Sequence, residues 1–336
     1  MEETTRSTDS HREMSAGHRL AVFVDPKFRP GAVLVDALLR GGLAHPHIES
    51  LMVVNTDRSP AVGPARSAAR GFSVDLGHRV MNRDLTVPYN YQWITGVAWT
   101  ARHHALRLLE PPGNDLNAPA FLSDLTTQLK PSLAVVVGSL QIFKEPLLRS
   151  IDRIVNYHNG RLPDYRGLRA TAWSIYNREK ETGFAFHDIV KGIDEGPIVL
   201  EGEVSVEPGQ GLRRHQYRKT MAAAEVVPVL LDRLVGGANG EPQRGTPRYY
   251  SRDDADAMTV IEDPTRHAAA EFGHRLAAFG SLDLSVGGRR LPVTSLTRGR
   301  PDGRTSFQTA DGAWRRPARL AYLPPVIYFS VVDRSH

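Results

Sequence analysis

Residues 133–158 read LAVVVGSLQIFKEPLLRSIDRIVNYH, and this stretch decides the fold. LAVVVG is a continuous β-branched run bounded by a glycine, the pattern of a strand buried on both faces. A short helix follows near 145–150, and RIVNYH at 153–158 is a second strand. Strand, crossover and strand in that order form a β-α-β unit, whose strands run parallel.

Upstream, a helix over 118–129 (APAFLSDLTTQL) feeds the unit. The chain's ordered part opens with the strand HRLAVFVD at 18–25, a turn over 26–31, the helix AVLVDALLRGG and a second strand within IESLMVVN at 48–55. The expected class is therefore α/β: a Rossmann-like, mostly parallel sheet with helices on both faces. The first β-α turn has no G-x-G-x-x-G, which disfavours NAD or FAD. Residues 1–17 are polar and mixed in charge, and are expected to be a flexible tail.

Downstream, ETGFAFHDI (181–189) and PIVLEGEVSVE (197–207) alternate as strands do, and a helix over 209–235 ends in GGANG. That cluster, with Pro242 and Pro247, marks a boundary. Beyond it come one helix (265–279) and short strands (282–296, 305–309, 313–322, 326–332) between Gly and Pro turns, the pattern of a small β-rich domain. The division expected is a tail over 1–17, a catalytic domain over 18–240 and a β-rich domain over 248–336.

At 336 residues, 41% hydrophobic and 24% charged, the composition suits two soluble domains. No apolar run approaches the roughly 20 residues of a membrane-spanning helix, and the start lacks the apolar centre of a secretory signal, so the expectation is a cytoplasmic protein with no membrane partner. The absence of cysteine excludes disulfides, thiol nucleophiles and thiolate metal sites. A net charge of +5 is modest for this length and reads as a solvated surface.

Chemistry concentrates in NYHNGRLPDYRG (156–167) and KGIDEGPIV (191–199). On a strand over 153–158, period-two geometry sets Asn156 and His158 on one face and Tyr157 on the other. They emerge at the carboxyl end, where open α/β sheets bind ligands. Pro163 stops the strand, and Arg166 and Gly167 turn the chain into the helical stretch LRATAWSIYN. Gly192 and Gly196 bracket Ile193, Asp194 and Glu195 in a tight loop that aims one carboxylate inward. An amide, an imidazole and a carboxylate converging on one cleft make an acyl-transfer site.

These residues resemble the folate-dependent formyltransferases. The family's Asn-x-His, Leu-Pro-x-x-Arg-Gly and later Gly-x-Asp-x-Gly stand here as Asn156, His158, Leu162, Pro163, Arg166, Gly167, Gly192, Asp194 and Gly196. The resemblance covers roughly residues 18–235 and is strongest over 133–206. It implies N10-formyltetrahydrofolate as formyl donor and a primary amine as acceptor. Asn156 and His158 would donate hydrogen bonds to the developing oxyanion, while Asp194 orients His158 or a water and assists proton transfer. A carboxylate beside the imidazole is expected to raise the His158 pKa and favour its charged form. The pterin is assigned to Leu140, Gln141, Ile142 and Phe143 and to a loop containing Val190, Gly192 and Ile193.

Gly160 stands where the family often has Ser, and Arg161 where an apolar residue is common. Both, with Arg166 and His187, are assigned to the acceptor side. The preferred acceptor is a small amine, a nucleotide-linked amino sugar or a modified amino acid. The alternatives are methionyl-tRNA formylation and formyltetrahydrofolate hydrolysis. The stretch at 55–71 lies where the methionyl-tRNA enzymes carry a basic loop, but reads as an ordinary surface loop. The β-rich domain weakly resembles the OB-like barrel of some family members, and RYYSRDDADAM (248–258) looks like its start. Its small surplus of arginine over acid does not favour RNA as a partner. His103 and His104 read as a solvated pair, and no metal site is expected. Trp93, Trp99 and Trp173 are read as core residues.

Overall fold

The computed structural model describes residues 17–57, 105–298 and 306–318, apart from positions 26, 29, 208 and 287. The sheet unit contains β1 (His18–Val24), β2 (Ile48–Asn55), β3 (Arg107–Leu109), β4 (Leu133–Val137), β5 (Arg153–His158), β6 (Arg166–Gly167), β7 (Glu181–Asp188) and β8 (Ile198–Ser205). Seven of these form one sheet in the order β3-β2-β1-β4-β5-β7-β8. The first five in that order pair in parallel, whereas β7 and β8 add antiparallel strands to the β5 side.

Helices cover both faces because the central strands are apolar on both. On one side α1 (Gly31–Ala44), α5 (Leu212–Glu225) and α6 (Val227–Val235) pack Leu34, Leu38, Leu230 and Leu231 against Leu20, Val22, Val135, Val155 and Tyr157. On the other, α2 (Pro119–Asp124), its π-helical continuation Leu125–Leu129 and α3 (Glu145–Leu148) form a layer with Phe121, Leu125, Phe143 and Leu147. That layer meets Ala21, Phe23, Ala134, Val136 and Ile154. Each fully buried Leu or Phe stabilises by roughly 1.5–3 kcal/mol, so the expected Rossmann-like α/β class follows directly from the apolar runs.

The single helix expected over 209–235 is two helices, α5 and α6, separated at Val226. Pro228 lies in the first turn of α6, where its missing N–H is harmless; inside a continuous helix it would remove a hydrogen bond and clash with the preceding turn. The boundary segment is also more tightly held than its Gly and Pro content suggested. Glu241 exchanges two 2.7 Å backbone hydrogen bonds with Ile198 at the start of β8. A few residues later β9 (Tyr249–Tyr250) pairs in parallel with β6.

Beyond β9 lie α7 (Arg252–Thr259), capped by a reciprocal Ser251–Asp254 box, β10 (Val260–Ile261) and α8 (Ala269–Phe279). The strands β11 (Leu282–Val286), β12 (Arg289–Val293), β13 (Ser295–Arg298), β14 (Phe307–Gln308) and β15 (Trp314–Ala318) follow. They surround a small core that includes Phe272, Leu284, Val293 and Phe307. Among the described residues these strands make two three-stranded sheets, β10-β11-β12 and β13-β15-β14. The expected β-rich character is present. The OB-like closure is not formed by these residues, since two-residue strands such as β10 and β14 supply too few ladder bonds to close a barrel.

The two units share a packed surface. α8 lies against α4 (Ala170–Tyr176), with the Trp173 ring stacked 4.5 Å from Tyr250 and edge-on to Phe279 at 5.2 Å. Trp173 is thus a core residue, as read. Among the described residues no helix is long and apolar enough to cross a membrane. The tail over 1–16, the loop over 58–71, Trp93, Trp99, His103, His104 and the strand expected over 326–332 lie outside the described residues.

Candidate active site

The alternation of β5 builds the site. Val155 and Tyr157 enter the layer of α1 and α5, while Ile154 enters the opposite layer. Asn156 and His158 share the face of Ile154, so that face turns from apolar to polar toward the end of the strand. Directly across the antiparallel ladder, Asn156 is paired with His187 of β7.

The loop between β7 and β8 brings the carboxylate. Asp194 Oδ2 lies 3.3 Å from His158 Nδ1, and Oδ1 lies 3.3 Å from His187 Nε2. Asp194 takes a left-handed conformation, φ 53°, unusual for a residue with a side chain. A Cβ at Gly196 would sit 1.7 Å from the Asp188 carbonyl oxygen, so only glycine permits the return of the loop. The Gly167 N–H donates to Asp194 Oδ2 at 2.8 Å, and Gly167 itself has φ 86° with Tyr250 O against its Cα.

Hydrogen bonding assigns the ring protons. His187 Nδ1 donates to the Asp188 carbonyl at 3.0 Å, while Nε2 lies between Asn156 Nδ2 at 3.1 Å and Asp194 Oδ1 at 3.3 Å. By the same logic His158 Nε2, 2.6 Å from the Tyr165 carbonyl, donates to it. His158 Nδ1 is then left bare, facing Asp194. Both nitrogens of this buried ring face acceptors, an arrangement satisfied in full only when a second proton arrives.

Burial pushes the His158 pKa down, and the attraction of Asp194 does not fully reverse it. The expected rise in pKa is therefore corrected to a fall, because loss of hydration outweighs one ion pair. On Asp194 the balance is opposite. Burial favours its neutral form, but His158, His187 and the Gly167 N–H together hold the carboxyl well below the usual carboxylate range.

The remaining assignments divide. His187 joins the cluster. Gly160 is buried behind it, and a Cβ there would lie 2.4 Å from Ala170 Cβ, which leaves no room for the family's Ser. The Arg161 guanidinium turns to Asp164 at 2.9 Å and Glu203 at 3.8 Å, away from the cluster. Arg166 is engaged by Gln243, with Nη2 2.8 Å from Gln243 Oε1, and by Glu195.

On the donor side, Leu140, Ile142, Val190 and Ile193 are exposed, on the loops that follow the two strands flanking β5. Both loops anchor in the same apolar layer through Phe143 and Ile189. The Gln141 side chain faces inward, bonded to Leu116 N and to the Thr56 and Asn114 carbonyls, and Phe143 packs on Phe23. These two side chains support the loop rather than line a ligand surface. Gly192 leaves the later loop close to Glu195.

Three contributors escaped the sequence reading: the Tyr165 carbonyl, Gln243 and Lys219. Lys219 of α5 is fully buried, donating to the Asn159 carbonyl at 2.7 Å and to Thr182 Oγ1 at 3.2 Å. It thereby braces the turn that follows His158.

A mostly parallel α/β sheet thus gathers an amide, an imidazole and an acid at one strand end. The chain matches the formyl transferase family over residues 109–231, less than half of its length. It is 31% identical over 157 residues to the methionyl-tRNA formyltransferase of Geobacter metallireducens, covering 46% of this chain and 47% of that one. With the GDP-perosamine N-formyltransferase of Brucella melitensis it shares 38% identity over 102 residues, 30% of this chain and 38% of the relative. The chain thus matches less than half the length of these curated relatives. The fold is similar, at a TM-score of 0.55 and 13% identity, to a Helicobacter canadensis N-formyltransferase in complex with folinic acid and dTDP-3-aminofucose, over 90% of this chain and 98% of the other.

Proposed function

We propose that this chain transfers the formyl group of N10-formyltetrahydrofolate to a primary amine of a small acceptor, a nucleotide-linked amino sugar or a modified amino acid. The observation that carries the proposal is the convergence of Asn156, His158 and Asp194, with the acid 3.3 Å from the imidazole. In the transfer, the acceptor nitrogen bonds to the formyl carbon, the bond from that carbon to folate N10 breaks, and the proton lost by the amine ends on N10. The Asn156 amide nitrogen, 3.1 Å from His187 Nε2, carries two N–H groups, one of which would donate to the oxygen as negative charge develops there. His158, whose ring nitrogens both face acceptors, and Asp194 would take up the amine proton and return it to the leaving nitrogen.

The match to the formyl transferase family supports the folate donor, and the exposed apolar residues Leu140, Ile142, Val190 and Ile193 suit its flat pterin ring. The GDP-perosamine relative supports a nucleotide-linked sugar amine as acceptor. The Geobacter relative favours a second reading, methionyl-tRNA. The test is incubation of the protein with formyltetrahydrofolate and a panel of amines, with products read by mass spectrometry. A formylated small amine is expected. Product on charged initiator tRNA alone, with binding that weakens steeply as salt rises, would favour the second reading. Formate release without a formylated amine would defeat both.

A further inference from the structure

The segment at 241–250 lies beyond the residues matched by the family model, yet it touches both halves of the site. Gln243 Nε2 donates to the Asp194 carbonyl at 2.7 Å and to the Gly196 carbonyl at 2.8 Å. Its Oε1 accepts from Arg166 Nε at 3.1 Å and Nη2 at 2.8 Å. Both amide protons and the oxygen are therefore used, and one side chain ties the bend at 194–196 to the turn at 166–168. Arg166 also reaches Glu195 on the same bend at 3.5 Å.

Those two pieces are the ones that the Asp194 carboxylate itself joins through Gly167 N. A closed circuit results, running from Gln243 through the Asp194 backbone and carboxylate to Gly167, then through Arg166 back to Gln243. Asp194 needs such a restraint, because a left-handed residue with a side chain persists only where its surroundings over-determine it. On both flanks the segment is pinned by backbone pairing, at Glu241 with Ile198 and at Arg248 with Pro163 and Arg166.

We infer that Gln243 is a positioning residue, which sets the Asp194 carboxylate against His158 and His187 from outside the family's catalytic region. The inference rests on the proposed formyl transfer for its consequence in catalysis, but not for the geometry. Gln243→Met keeps the length and loses every hydrogen bond. Gln243→Glu keeps the acceptor for Arg166 and loses both donors to the bend. Gln243 is only half-buried, so both variants should fold, as a cooperative thermal transition will show.

In each variant kcat should fall roughly 10–100-fold, the scale of a misplacement of about 1 Å, with KM for the folate donor nearly unchanged. The His158 imidazole resonances of Gln243→Met should titrate at lower pH than in the unaltered protein, because a retreating carboxylate supports the charged ring less. Unchanged kcat in both variants overturns the inference. If the unaltered protein transfers no formyl group, the proposed function fails and the titration alone decides. A shifted His158 then upholds the positioning role, and an unshifted one refutes it.

Discussion

Asn156 and His158 reach the site by one route and Asp194 by another. The pair stands on β5, between two strands, where every second residue faces the same way by the geometry of the ladder. The acid stands on a loop, in a left-handed conformation, and its placement depends on Gly196, Gly167 and Gln243. Regular secondary structure places the first two residues; a few long-range contacts place the third. The strand half should therefore tolerate loss of its polar groups without structural damage, whereas the loop half should lose chemistry and structure together when its glycines are changed.

The largest effect is expected from Asp194→Asn, which keeps the shape of the loop and removes the ionised acid. Turnover should drop by about 10²–10⁴, with binding of a non-transferable folate retained in a fluorescence titration. Normal turnover would remove the carboxylate from the mechanism. On the strand side, Asn156→Ala should lower kcat by about 10²–10³ through loss of an oxyanion donor, with an unchanged melting temperature. A marked fall in melting temperature would show that the strand half is structurally as dependent on its polar groups as the loop.

Gly196→Ala should expose the weakness of the loop, since its Cβ would collide with the Asp188 carbonyl. A loss of about 1–3 kcal/mol in stability and a clear loss of activity are expected, measured by denaturant unfolding and initial rates. An unaffected variant would mean that the bend can relax.

The smallest effect concerns Lys219, whose burial holds its pKa well below the usual lysine value. Between that lowered value and 10.5 the unfolded chain binds a proton that the native state does not, so stability should rise with pH across this window. In Lys219→Met the corresponding slope of melting temperature against pH should flatten. An equally steep slope in the variant would assign it to another group.

The same contrast separates what could be read in the sequence from what could not. The sheet was legible because LAVVV and HRLAVFV are apolar on both faces, and the polar pair because period two singles out alternate residues of RIVNYH. The acid was legible through the glycines on either side of it. Gln243 lies in NGEPQRGTP, a string that signals a boundary, and nothing local shows that its amide folds back onto Asp194. Lys219, in RRHQYRKT, reads as part of a solvated helix face; its burial depends on the Asn159 carbonyl, sixty residues earlier in the chain. The His158 pKa was misjudged for a related reason: the motif announces the neighbouring acid but not the depth of burial.

The N–H groups of Arg166, Gly167 and Leu168 donate in succession to the Arg248 carbonyl, the Asp194 carboxylate and the Tyr250 carbonyl. All three partners come later in the chain. On a ribosome, the Leu-Pro-x-x-Arg-Gly motif therefore emerges complete in spelling but before any of these partners, the last of which arrives with residue 250. Vectorial synthesis thus delays full closure of this turn until well after the motif itself has been made.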